Sequence, residues 1–164
     1  MKIYTDGSSR GNPGPGGFGV VVFDDEDNLL YAHSKMSEEN TTNNEQELLA
    51  IVFAAAAYGR QTPPPQVYSD SSYAVNTLTD WMYRWKDNNW LRSNNSIPEN
   101  LEIVKFYYAL ITEGGFKIDL HKIAGHSGNK GNDLADKLAK GQITPEAAVS
   151  EIKKERKAAN CVFI

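Results

Sequence analysis

Cysteine is almost missing from this chain. Its 164 residues include one, Cys161, which excludes an internal disulfide framework and a cysteine-based zinc site and makes a reducing cytoplasm the expected compartment. Long apolar runs are missing as well: none approaches the roughly 18 residues that cross a bilayer, so no membrane partner is expected. The opening residues, Met1-Lys2-Ile3-Tyr4-Thr5-Asp6, lack the basic, apolar and small-residue regions of a signal peptide. Positive charge is scarce. Lys and Arg number 17 against 21 Asp and Glu, for a formal charge of -4, which on its face argues against broad electrostatic binding of nucleic acid. Binding depends on local fields, however. Acidic residues crowd Asp24-Asp25-Glu26-Asp27 and Glu38-Glu39, while Arg84, Lys86 and Arg92 lie together elsewhere. A carboxylate metal site also lowers formal charge without repelling phosphate once its metal is bound.

What is present is the composition of one ordinary globular domain, 40% hydrophobic and 23% charged. Ile3 to Thr5 reads as a short strand, followed by a dense turn-forming segment from Gly7 to Gly17. Phe18 to Phe23 and Leu29 to Ser34 are rich in residues that favour strands and form a candidate hairpin. Thr42 to Tyr58 changes to helical periodicity, with four consecutive alanines, a Thr41 or Thr42 cap and Gly59 at its end. Prolines 63–65 forbid its continuation. Val67 to Ser69 reads as a buried strand, Ser71 to Leu78 as a helix, Leu101 to Ile111 as another. Phe116 to His121 is the last strand expected, and Asn132 to Ala139 a helix after the glycine-rich loop 125–131. The order β-β-β-α-β-α-α-β-α implies an α/β fold, a five-stranded mixed sheet flanked by helices. Residues 1–141 form the expected domain. Residues 142–164 are an extension whose segment Pro145 to Lys157 reads equally as a charged helix or a frayed tail.

Three carboxylates stand where chemistry is often built. Asp6 is placed at the end of the first strand, Asp70 at the end of the fourth, and Glu47 one turn into the first long helix; Asp136, inside the helix after the loop, is a fourth. Taken singly, an Asp at a strand end is ordinarily a turn former and Glu47 a solvated helix residue. Gathered at one point, such groups repel one another unless a cation neutralises them, and hard oxygen ligands suit Mg²⁺ or Mn²⁺.

The flanking residues carry more. Tyr4-Thr5-Asp6-Gly7-Ser8 with Gly11-Asn12-Pro13-Gly14-Pro15-Gly16-Gly17 resembles the opening of type 1 ribonucleases H, the bacterial-type ribonuclease HI family. Thr42-Asn43-Asn44-Glu45-Gln46-Glu47-Leu48 matches that family's helix motif, Tyr68-Ser69-Asp70-Ser71 its third carboxylate motif, and Gly125-His126-Ser127-Gly128-Asn129-Lys130-Gly131-Asn132-Asp133-Leu134-Ala135-Asp136 its last. Four motifs in the family's order and spacing cover about residues 1–141. The resemblance implies a ribonuclease H-like fold and an endonuclease that cuts the RNA strand of RNA–DNA hybrids to 5′-phosphate and 3′-hydroxyl ends. Asp6, Glu47, Asp70 and Asp136 would hold two Mg²⁺ ions, with Mn²⁺ a substitute. His126 would assist proton movement or product release.

It also implies a division of labour across the hybrid. Backbone groups from Gly7 to Arg10, with Asn12, Asn43 and Glu47, match positions that read ribose 2′-hydroxyls, the groups that tell RNA from DNA. Trp81, beside Asn44 and Tyr73, matches the face that packs on a DNA sugar, and Thr42 and Asn100 those that grip a DNA phosphate. Asn43 and Asn44 read as helix capping as well. The segment with Trp81, Trp85 and Trp90 resembles the family's basic handle, though its lysines and arginines are few, which predicts looser binding; Trp85 reads as a structural brace. Ser72 stands where many relatives carry a longer side chain. Gly14, Gly16 and Gly19 mimic a dinucleotide fingerprint but fall inside a hairpin, and the prenylation-like ending Cys161-Val162-Phe163-Ile164 is treated as coincidence. A free-standing cytoplasmic monomer is expected. The alternatives are the ribonuclease H portion of a reverse transcriptase and a binding module that has lost catalysis; the second would normally lack a carboxylate.

Overall fold

The computed structural model describes residues 1–162, without the side chains of 152, 155, 156 and 158–162; the side chains of the Cys161–Ile164 ending therefore lie outside what is described. Five strands form one sheet in the order β3-β2-β1-β4-β5. They are β1 (Lys2–Ser9), β2 (Gly16–Phe23), β3 (Leu29–Met36), β4 (Gln66–Ser69) and β5 (Asp119–Lys122). The first three pair antiparallel, whereas β4 runs parallel to β1 and to β5. A parallel neighbour needs a crossover, and α1 (Asn43–Tyr58) supplies the one between β3 and β4.

Both faces of the sheet are covered, which is why β2, Gly-Gly-Phe-Gly-Val-Val-Val-Phe, is apolar throughout rather than alternating. On one face Ile3, Val20, Val22 and Val67 pack on Ala50 and Ala54 of α1. The small alanines let helix and sheet approach closely. On the other face Val21 and Phe23 meet Ala135 and Leu138 of α5 (Lys130–Ala139) and Ala148 of α6 (Pro145–Val162). The segment at 145–157 is thus helical, and its first turns are docked on the core. Leu48, Ile51 and Ala55 on another side of α1 form a third cluster with Leu78, Met82, Val104 and Tyr107.

Several boundaries differ from the sequence reading. The first strand does not stop at Thr5: Gly7, Ser8 and Ser9 pair with Phe18, Gly17 and Gly16, and the turn shrinks to the segment closed by Arg10 N–H donating to Pro15 O at 2.7 Å. Asp6 therefore lies inside β1 and not at its end. The last strand starts at Asp119 rather than Phe116, because its partner β4 begins only at Gln66 and the Lys117 N–H is taken by Gly59 O. The helix after β4 is continuous from residue 72 to 87: α2 (Ser72–Asn76), a π-turn (Thr77–Trp81), then α3 (Met82–Asp87). Beyond it comes α4 (Leu101–Thr112). Thr42, not Thr41, caps α1, its hydroxyl accepting from Glu45 N–H at 3.1 Å. Among the described residues no helix is long and apolar enough to cross a membrane.

Candidate active site

The glycine after Asp6 brings the first two carboxylates together. A Cβ on Gly7 would overlap the backbone of Gln46 and Glu47, so only glycine lets α1 lie this close to β1. Asp70, immediately after β4, completes the group: Asp6, Glu47 and Asp70 each offer an oxygen within 4.8 Å of the others. Asp6 and Glu47 are buried, 5% and 8% exposed, and Asp70 is half-buried. Burial, then the charges of Asp70 and Asp136, push the Asp6 carboxyl up to about 8, although a hydrogen bond with Glu47 opposes this. Burial first, then Asp6 and Asp70, raise Glu47 well above the ordinary range, against a lowering contribution from the Gly7 backbone. Two buried carboxyls this close share a proton rather than ionise together.

The electrostatic balance of the trio is incomplete. Glu47 Oε2 is buried without a hydrogen-bond partner, and among the described residues no Lys or Arg pairs with any of the three. An orphaned buried carboxylate oxygen is costly, and a divalent cation is the species that three hard oxygens at this spacing fit. Asp136 reaches the site from α5, which Gly19 admits by leaving no Cβ to strike Ala135 and Leu138. It is near enough to raise the Asp6 pKa, yet it stands outside the close trio and its Oδ2 accepts from Lys140 Nζ at 3.0 Å. His126 is exposed on the loop before α5, in the left-handed region at φ 53°.

The remaining site residues fall into two groups. Asn44, Tyr73 and Trp81 line one groove of about 840 Å³ together with Trp85, Arg84 and Arg92. The Tyr73 and Trp81 rings meet edge to face at 6.3 Å. Asn100, left-handed at φ 57°, donates from Nδ2 to the Tyr73 hydroxyl at 3.2 Å and joins this group. Asn43 instead ties α1 to β1, its Oδ1 accepting from Ser9 N–H at 2.7 Å. Thr42 is engaged as the helix cap. Asn12 stands exposed in the turn between β1 and β2. A larger cavity, about 990 Å³, lies between β3 and α1 and holds none of the four carboxylates.

Sequence reasoning missed Asn132 and Lys140. Asn132 is buried with Oδ1 unpartnered, and it and Lys140 lie four residues before and after Asp136, the i±4 neighbours on one helical face. That spacing was the available signal.

Known proteins resemble this chain in sequence and in fold. The RNase H family model matches residues 1–144. The ribonuclease H of Orientia tsutsugamushi (strain Boryong) is 39% identical over 140 residues, 85% of this chain and 79% of its own length. Among solved structures, LC11-RNase H1 in complex with RNA/DNA hybrid has a TM-score of 0.57 at 26% identity, over 84% of this chain and 92% of that one. The foamy viral protease-reverse transcriptase in complex with RNA/DNA hybrid reaches a TM-score of 0.70 at 21% identity over 84% of this chain. The chain spans 19% of that polypeptide, and the likeness is one of fold.

Proposed function

The chain belongs to the ribonuclease H family, and from that premise we propose that Asp6, Glu47, Asp70 and Asp136 hold two Mg²⁺ ions at the scissile phosphate of an RNA–DNA hybrid. It is an endonuclease that hydrolyses the RNA strand of such hybrids to 5′-phosphate and 3′-hydroxyl products. The observation that carries the metal assignment is the trio of carboxylates within 4.8 Å with one buried oxygen left unpartnered. Bound there, divalent ions supply the positive charge and activated water that in-line displacement at a phosphodiester needs; Mn²⁺ has the same oxygen preference and serves as a substitute.

The chain's own residues do the rest. Gly7 to Arg10 present backbone groups, and Asn12 and Asn43 side-chain amides, to the ribose hydroxyls. Glu47 adds an acceptor there. Asn44, Tyr73 and Trp81 form the wall on which a sugar without a 2′-hydroxyl packs, while Thr42 and Asn100 hold the adjoining DNA phosphate. Their shared groove and the Asn100–Tyr73 hydrogen bond support this reading. His126, exposed on its loop, moves a proton at the leaving 3′ oxygen or aids product departure. Residues 1–141 carry this machinery, and the start of the following helix braces it through Ala148. We assign the protein to the cytoplasm, as a monomer.

Calorimetric titration of the metal-free protein with Mg²⁺ tests the site itself. Binding should be seen with the parent and be weakened at least tenfold in Asp70→Asn. Equal binding by the two would remove Asp70 from the ligand set.

A further inference from the structure

A column of aromatic rings crosses the sheet just behind the carboxylates. Tyr4, Tyr68 and His121 are register partners on β1, β4 and β5. Tyr4 and Tyr68 stack with centroids 5.0 Å apart and planes at 23°; Tyr68 and His121 stack at 5.3 Å and 28°. The inner end of the column is closed. Phe23 meets Tyr4 edge-on at 5.8 Å, and α5 begins over the Tyr4 ring at Gly131. The outer end is open, because β5 is an edge strand and His121 is exposed, with Tyr68 its one aromatic neighbour among the described residues.

The His121 ring is also held. Gln66 Nε2 donates to Asp119 Oδ2 at 2.8 Å, which turns Gln66 Oε1 toward His121 Nε2 at 2.5 Å. This contact and the stack on Tyr68 together orient the imidazole. Cross-strand packing accounts for Tyr68 against Tyr4. It does not account for an edge-strand ring that is exposed on one side and immobilised by a two-step hydrogen-bond chain. An immobilised flat ring with a free face is pre-ordered for another flat ring, since little side-chain entropy remains to be lost.

Position suggests which flat ring. Tyr4 and Tyr68 precede Asp6 and Asp70 by two residues, about 7 Å along a strand, and β5 lies about 4.8 Å further out. Two or three nucleotides, at about 3.4 Å of rise each, cover that distance. We propose that the outer face of His121 is a stacking site for an unpaired nucleobase of the RNA strand, where that strand leaves the hybrid beside the catalytic carboxylates. This rests on the carboxylates holding the RNA strand, as proposed above. The site would let the protein favour hybrids that end in an RNA overhang over blunt ones, through a contact that is tolerant of sequence.

Two measurements test it separately from the catalytic reading. Adenosine 5′-monophosphate added to the protein should move the His121 ring-proton resonances upfield. In the Asp70→Asn background, a hybrid with a three-nucleotide RNA overhang should bind about fivefold more tightly than its blunt counterpart. His121→Ala should erase that preference and His121→Phe restore it, with melting temperatures close to the parent's. In the otherwise unaltered chain, His121→Ala should cleave blunt hybrid at the parental rate. An unmoved His121 resonance, or the same overhang preference in His121→Ala, overturns the proposal while leaving cleavage untouched. A preference for DNA overhangs overturns its strand assignment. A resonance shift in a protein that cuts no hybrid would instead overturn the catalytic reading.

Discussion

At the scale of single residues, the site is governed by repulsion held in check. Asp6 and Glu47 are buried, Asp70 stands beside them, and both buried carboxyls are pushed upward by loss of solvent first and by their neighbours' charges second. Replacing Asp70 by Asn removes one of those charges. Mg²⁺-dependent cleavage should fall about a thousandfold or more, the loss of several kcal/mol of charge stabilisation. The melting temperature of the metal-free protein should hold or rise; a fall would mean that Asp70 supports the fold and not the chemistry. The raised Asp6 pKa also fixes the sign of a pH effect. Between the unfolded value near 4 and the folded value of about 8, the folded state binds more protons than the unfolded one, so stability falls as pH rises. Melting curves in chelator across that window should slope downward, and Asp6→Asn should flatten them. A parent curve that is flat or rising would contradict the buried cluster.

At the scale of elements, the decisive features are close approaches between a strand and a helix. Gly7→Ala would force α1 away from β1 and separate Glu47 from Asp6. Overpacking of this kind costs about 2–3 kcal/mol, or roughly 5–10 °C in a chain of this size, and cleavage should be lost with it. Parental melting and activity in Gly7→Ala would show that the contact yields. This is also where the sequence was least legible. The glycines from Gly7 to Gly17 read as one long turn, because glycine signals a turn and a close packing contact with the same letter. The structure uses Gly7, Gly16 and Gly17 inside paired strands, which extended β1 past Asp6. Strand β5 was misplaced because Phe116 and Ile118 look like strand residues while the partner strand begins only at Gln66. The π-turn at 77–81 was invisible, since no residue preference marks one extra residue in a helix. By contrast α1, a threonine cap at 41 or 42, and the two hairpin strands β2 and β3 were readable from periodicity and composition. Asp6, Glu47 and Asp70 were legible together through their flanking motifs. No spacing rule alone places residues 6, 47 and 70 within 4.8 Å.

At the scale of the whole molecule, a chain of net charge -4 must bind a polyanion. The groove that holds Trp81 carries Arg84 and Arg92, but Arg84 Nε already donates to Asp80 at 3.1 Å. With only these two cations lining the groove, the affinity of Asp70→Asn for hybrid should depend on salt only modestly, with a log–log slope of about -2 to -3. A slope of about -6 or steeper would reveal a basic surface beyond this groove. On the proposed reading, binding would lean on shape, on ribose contacts and on the metal's own charge, which would tie recognition to catalysis.

That link makes one measurement the most direct. End-labelled RNA–DNA hybrid would be incubated with the purified protein and Mg²⁺, beside single-stranded RNA, duplex RNA and duplex DNA, with Asp70→Asn as the control for contaminating nucleases. Cutting confined to the RNA strand of the hybrid, leaving 5′-phosphate and 3′-hydroxyl ends and absent from the variant, is the predicted result. A folded parent protein that leaves the hybrid intact in both Mg²⁺ and Mn²⁺, or cuts it equally well with Asp70 replaced, would contradict the account.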